Sequence, residues 1–373
     1  MKNIKMLWNV AFLFALFGCA LVLPRTAVQN DVTSADDAYH YGEFNDGQHD
    51  ETYIEWWYFN FSDEENGIQG LFTYGIIDPD NISEFGVANV IAVIYTPDGI
   101  LQESDNYSVS DFFALSDRVY VSINSNSVEA LDEDTYRIAG SSRSGKVSWD
   151  VTYERNEKPW FAFDKAPVGF ILPWMNMSWL LYMPGAGVNG TVILNASDGT
   201  SRSYDIRGAK GYHDHNWGEW IPAGPMWSWA QYYEPGWPDK NKLILDVGDI
   251  YNRDVGEIRV EYDGDATIFE KSQYLISRSR WQYDSEHQQF YPERLTIFAH
   301  NTDENKLLFV TIESSKTAPI YKEAPKPSPN IIIYEQTAHF SGALYEKGRH
   351  GWSRLVSFDG DGFAEYTLRD WVK

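Results

Sequence analysis

Residues 211–220 read Gly211-Tyr212-His213-Asp214-His215-Asn216-Trp217-Gly218-Glu219-Trp220. In an extended chain, period-two alternation sends His213, His215 and Trp217 to one face and Asp214 and Asn216 to the other. A surface strand has little use for large indoles. A strand that only serves a core has little use for imidazoles and carboxylates, which cost free energy to bury unless they are paired. Polar and aromatic side chains side by side suit a pocket that performs acid–base chemistry on an apolar molecule.

A second run, Glu55-Trp56-Trp57-Tyr58-Phe59-Asn60, has the same character. As a strand it puts Glu55, Trp57 and Phe59 on one face and Trp56, Tyr58 and Asn60 on the other. One face then fills a barrel core and the other is left for a hydrophobic ligand. An aromatic wall of this kind also attracts a passing cation, worth about 2 kcal/mol once desolvated.

Working outward, strand-like runs follow one another: Ile54–Phe61, Gly70–Ile77, Val87–Tyr95, Arg118–Ile123, Val147–Tyr153 and Gly190–Leu194, then Trp227–Tyr233, Leu243–Val247, Glu257–Tyr262, Tyr291–Phe298, Lys306–Ile312, Ile331–Phe340 and Gly362–Leu368. Turn residues such as Pro79-Asp80-Asn81 and Pro97-Asp98-Gly99 separate them, and Ser62–Asn66 reads as a solvated hairpin tip. Many short strands with little helical periodicity predict an all-β chain of sandwich or barrel type. The polar, turn-rich Ser201–Gly208 marks the expected boundary between two β-domains, 51–205 and 206–373, with the His-rich strand near their junction. Asp249, after a glycine, reads as a turn residue, and Pro325–Pro329 as a stiff surface connection.

The 373 residues are 43% hydrophobic and 16% aromatic, enough for a large core, and 15 Trp with 24 Tyr favour β-structure. A net charge of −24 opposes binding to nucleic acid or anionic membranes. Residues 1–20 read as an export signal: Lys2 and Lys5, an apolar Met6–Phe17, and small residues up to Ala20. An uncleaved anchor or a lipoprotein site at Cys19 are the rivals. Residues 21–50 form a polar arm. Cys19 is the only cysteine, so the mature chain is expected to lack disulfides. Glycosylation sequons begin at Asn60, Asn81, Asn106, Asn176, Asn189 and Asn195 and point to a secreted glycoprotein.

His213 and His215 have the His-x-His spacing of metal ligands, but no third ligand announces itself, and paired structural histidines or an acid–base role compete with that reading. Asp246 interrupts the apolar run Leu243-Ile244-Leu245-Asp246-Val247. Burial there keeps a carboxyl protonated, either as a hydrogen-bonded structural acid or as a proton donor. No phosphate loop, nucleophile elbow or zinc-protease motif is present, and no cofactor is expected.

Glu55–Asn60 followed by Gly211–Gly218 resembles the carotenoid 1,2-hydratase (hydroxyneurosporene synthase) family, which includes a fungal kievitone hydratase and, more distantly, fungal Diels–Alderases. The resemblance covers most of the chain after residue 40. It implies two lipocalin-like β-domains around a hydrophobic pocket and the addition of water to an isoprenoid double bond. It also implies roles for His215, Trp217 and Asp246, with Trp174 or Trp179 as an upstream tryptophan. An aromatic expected two residues before the acid is Ile244 here.

The combined expectation is a secreted, cofactor-independent hydratase acting on a prenylated, isoprenoid or polyketide substrate. Asp246, or Asp214 as second choice, protonates the alkene. Trp57 and Trp217 hold the cation, and His215 or Glu55 orients water. His213, Tyr58 and Trp174 or Trp179 complete the pocket. The rivals are a pericyclase or acid-catalysed cyclase on the same scaffold, a non-catalytic carrier, and a metal-dependent enzyme.

Overall fold

The alternation is realised as two large antiparallel sheets. The computed structural model describes residues 32–43, 52–162, 177–196, 198–219, 226–236, 242–252, 255–322 and 330–370. The expected export segment, Trp174, Asn176 and Pro325–Pro329 lie outside them. Among the described residues the only helical elements are short 3-10 turns, such as Ser34–Asp37 and Tyr41–Glu43. The all-β expectation holds.

The first sheet runs, edge to edge, through Gly99–Tyr107, Val87–Thr96, Ile68–Ile77, Tyr53–Asp63, Ser201–Glu219, Met177–Asn195, Val147–Arg155, Thr135–Ser141, Asn126–Ala130, Tyr120–Ile123 and Phe112–Ala114. It curls into a nearly closed barrel. Trp149 Nε1 donates to the Tyr74 hydroxyl across the curl at 2.7 Å, and Phe59 meets the Tyr153 ring at 5.1 Å. Strands this long must bend to close, and register shifts along Met177–Asn195 supply the bend.

The second sheet runs through Asp265–Glu270, Val255–Tyr262, Leu243–Ile250, Ser228–Glu234, Gly351–Asp370, Asn330–Gly348, Lys306–Lys322, Gln289–Asn301 and Tyr274–Asp284. Leu245, Val247, Val260, Ile297, Val310 and Phe340 fill its own core. A separate apolar cluster joins Leu71, Ile91 and Val93 of the first sheet to Ile320, Ile331, Ile333 and Phe363 of the second. Residues Thr33–Lys373 thereby form one compact unit.

Three details depart from expectation. Ser201–Glu219 is one uninterrupted strand of the first sheet, so the chain changes sheets after Glu219 and not between 205 and 206. The turn-prone residues at 201–208 belong to the exposed half of a long hairpin, where polarity marks solvent and not a boundary. Asp249 is no turn residue. It is fully buried in Leu243–Ile250, where its Oδ2 accepts from Arg278 at 2.7 Å and its Oδ1 from the Tyr274 hydroxyl at 2.9 Å. Asn60 is 2% exposed, so the folded chain has no room for a glycan there.

Candidate active site

Tyr53–Asp63 and Ser201–Glu219 lie side by side with Glu55 opposite Trp217, Trp57 opposite His215 and Phe59 opposite His213. Directly opposed residues project to the same face, and this face is the inside of the barrel. The Trp57 indole stacks on the His215 ring at 4.4 Å and Phe59 on His213 at 4.0 Å.

The imidazoles end in a sealed ion-pair network supplied by the N-terminal arm. His213 Nε2 lies 2.9 Å from Asp37 Oδ2, and its Nδ1 lies 2.9 Å from the Tyr58 carbonyl. His215 Nε2 meets Glu55 Oε1 at 2.9 Å, while its Nδ1 lies 3.1 Å from Asp37 Oδ1. The Tyr53 hydroxyl donates to Glu55 Oε2 at 2.5 Å and the His40 amide to Glu55 Oε1 at 3.1 Å. Trp57 Nε1 donates to the Asp37 carbonyl, and the His40 ring stacks on Trp217 at 3.9 Å. Asp37, Glu55, His213 and His215 are all fully buried. Burial pushes the His215 pKa down, but Asp37 and Glu55 outweigh it and raise it to about 9. Burial pushes Asp37 up, but the two imidazoles hold it at about 2. The His-x-His spacing here builds a charged lock that fastens residues 33–43 into the barrel.

Asp214 leaves the same strand on the opposite side, toward the second sheet. Its Oδ2 accepts from Trp179 Nε1 at 2.9 Å and from the Tyr212 hydroxyl at 2.8 Å, and its Oδ1 from Asn216 at 3.2 Å. Trp179 reaches across to Gly248, where a Cβ would sit 2.4 Å from its ring, so glycine is what lets the indole approach. Asp246 lies two residues from Gly248 on the same face, 4% exposed. Trp229, opposite Gly248, packs its ring against Tyr58 at 5.5 Å and Tyr212 at 5.3 Å.

Two further acids complete the region. Glu365 lies opposite both Trp229 and Glu335, forming one row across three strands of the second sheet. Trp227 Nε1 donates to Glu365 Oε1, and the Tyr95 hydroxyl to the Glu335 carbonyl at 3.0 Å. Lys322 extends over the Trp56 ring at 5.8 Å.

Desolvation dominates the electrostatics, because a carboxylate loses more solvation on burial than a carboxylic acid. It raises Asp214 to about 6, even though Trp179 and Tyr212 donate to it. It lifts Asp246 well above the usual range, and the neighbouring Asp214 charge adds to the effect. Burial and the Glu365 charge do the same to Glu335. Glu365 rises to about 7, with Glu335 and Trp227 hydrogen bonds opposing the rise. Burial lowers the Lys322 ammonium. Asp246 Oδ2, Glu335 Oε2 and Trp229 Nε1 are buried with no hydrogen-bond partner. Such groups are uncommon in folded proteins, and these three lie on the face that the second sheet turns toward the first.

The expected site therefore divides in two. Tyr58, Trp179, Asp214 and Asp246 come together between the sheets. Glu55, Trp57, His213, His215 and Trp217 lie behind the sheet in the sealed network and do not share a surface with the acids. Alternation alone separates them, since odd and even positions of one strand cannot line one cavity. Sequence reasoning missed Asp37, Glu335, Glu365, Tyr212 and Trp229. The two glutamates carry the signal that exposed Asp246: a carboxylate in an otherwise apolar run, as in Ile331-Ile332-Ile333-Tyr334-Glu335.

No protein-family model and no curated protein matches this chain. Solved structures do. A candidate AttH protein from Nitrosomonas europaea superposes with a TM-score of 0.63 at 12% identity, covering 92% of this chain and 97% of that one. Kievitone hydratase from Nectria haematococca gives 0.55 at 14%, covering 91% and 97%. CghA bound to Sch210972 gives 0.55 at 12%, covering 86% and 89%. The chain shares their fold. At these identities the likeness speaks of architecture alone, and it is the architecture that the Glu55–Asn60 and Gly211–Gly218 motifs implied.

Proposed function

We propose that this protein is a secreted, cofactor-independent enzyme that hydrates an isoprenoid or prenyl double bond in the space between its two sheets. The observation that carries the reading is Asp246, a carboxyl buried among tryptophans and tyrosines, with an unpartnered oxygen and a pKa that burial lifts well above the usual carboxylate range. Fold likeness to kievitone hydratase supports it as analogy.

In this reading the Asp246 O–H bond breaks as its proton joins the less substituted alkene carbon. The tertiary cation left behind is faced by Trp229 and Trp179, in place of the sequestered Trp57 and Trp217. Water then forms the C–O bond and loses a proton to a carboxylate, giving a tertiary alcohol. Burial raises the Asp246 pKa, and Asp214, ionised above pH about 6, adds to the rise by like-charge repulsion.

A pericyclase is the second reading. In their protonated forms, which burial favours, Asp246 and Glu335 would donate hydrogen bonds to a carbonyl and activate a dienophile, and the fold of CghA, a Diels–Alderase, supports that view. Incubating the protein with a panel of prenylated phenols and acyclic polyenes in oxygen-18 water separates the two. Hydration adds one labelled water, and pericyclic closure leaves the mass unchanged. Saturable binding with every ligand recovered intact identifies a carrier and overturns both.

A further inference from the structure

We propose that Glu335 and Glu365 form a proton-sharing carboxyl pair that faces the same inter-sheet space as Asp246 and serves as its base. The two residues are direct cross-strand partners, which places their Cβ atoms about 5 Å apart. Their side chains are 3% and 9% exposed. Two carboxylates this close cannot both ionise without solvent between them, so one proton is held in common.

What meets the pair from each side is specific. From the first sheet, Tyr58, 5% exposed, brings a hydroxyl that meets the Asn60 side chain, and both glutamates act on it electrostatically. From the second sheet, Trp229 stands opposite Glu365 with an unpartnered Nε1, and Trp227 Nε1 holds Glu365 Oε1. Lys322 is the cation that acts on both acids, and Asp214 the more distant anion. An unsatisfied donor, Trp229 Nε1, and an unsatisfied acceptor, Glu335 Oε2, thus flank Glu365 on the same row of the sheet.

The pair complements the acid. Asp246 gives its proton to the alkene. The Glu365 carboxylate takes a proton from the attacking water as the C–O bond forms, and that proton then passes to the Asp246 carboxylate, leaving alkene plus water converted to alcohol. Its pKa of about 7 suits Glu365 to accept a proton near neutral pH, and burial lifts Asp246 well above the usual carboxylate range, as a donor requires. The role as base rests on the hydration reading, whereas the shared proton does not.

Infrared titration of the carboxylic C=O band, run on the full chain, tests the pair without any substrate. The wild type should lose a protonated-carboxyl band with a midpoint near pH 7. Glu365→Gln should abolish that step. Trp227→Phe, which removes a donor to the carboxylate at a half-buried position, should move it to higher pH. A step unchanged in both variants overturns the proposal. Where the wild type hydrates a prenylated phenol, folded Glu365→Gln should lose about 100-fold in oxygen-18 incorporation and keep binding within about threefold by tryptophan quenching. Undiminished hydration overturns the role as base. A wild type that hydrates nothing yet shows the Glu365-dependent step keeps the pair and removes the hydratase reading instead.

Discussion

Asp246 holds its proton at a measurable cost to the fold. Its folded pKa lies well above the value of 3.8 expected for an unfolded chain, so the native state binds a proton that the unfolded state releases. Stability contributed by such a group is complete at acid pH and declines as pH rises from about 4 toward the folded pKa. Asp246→Asn should therefore raise the melting temperature at neutral pH and flatten its decline with pH, while reducing hydration by about 100-fold or more. Scanning calorimetry and turnover on the same sample check both, and a variant that loses stability and keeps activity contradicts the assignment. Asp214→Asn acts differently. It removes a charge that adds to the upward shift burial imposes on Asp246, so the alkaline limb of the rate profile should move to lower pH.

At the scale of elements, the decisive one is the short arm around Ser34–Asp37. It carries the carboxylate that faces both His213 and His215, and removing one member of such a buried pair costs about 3–5 kcal/mol. The sign of the pH dependence follows from the two ends. His215, raised to about 9, contributes fully below pH 6.5 and loses that contribution as pH climbs through 9; Asp37, lowered to about 2, contributes above pH 4 and fails only in strong acid. Asp37→Asn should lower the melting temperature most at pH 5–6 and weaken the fall between pH 7 and 9, as thermal melts across that range would show. An unchanged fall would place the titration elsewhere. Strand identity and facing were legible in the sequence, because alternation in 213–217 and 55–60 needs only local geometry. The lock was not, since Asp37 stands in a polar segment with no periodicity and gains its meaning from contacts 176 positions away. The same reading grouped His215 with Asp246 because both looked chemically useful, although the pleat had already sent His215 and Asp214 to opposite sides.

For the whole molecule, function depends on how two sheets with separate cores are held together, and the contacts that join them also shape the site. Trp179 of the first sheet seats over Gly248 of the second and, from there, donates to Asp214. Gln102 Nε2 donates to the Pro319 carbonyl at 2.7 Å and Tyr95 to the Glu335 carbonyl, so the strand carrying Glu335 and its neighbour Lys306–Lys322 are each tied to the opposite sheet. Overpacking at Gly248 tests whether this joint controls the chemistry. A Cβ 2.4 Å from the Trp179 ring forces the indole to shift, at about 1–3 kcal/mol. Displacing it breaks the hydrogen bond to Asp214, whose pKa then rises further because that bond favours the charged form. Gly248→Ala should therefore destabilise the fold and also move the Asp214-dependent feature of the pH–rate profile upward, whereas a variant such as Val310→Ala, confined to the core of the second sheet, should destabilise without moving it. If both variants leave the profile in place, Trp179 contributes packing alone and the joint between the sheets does not tune the acid.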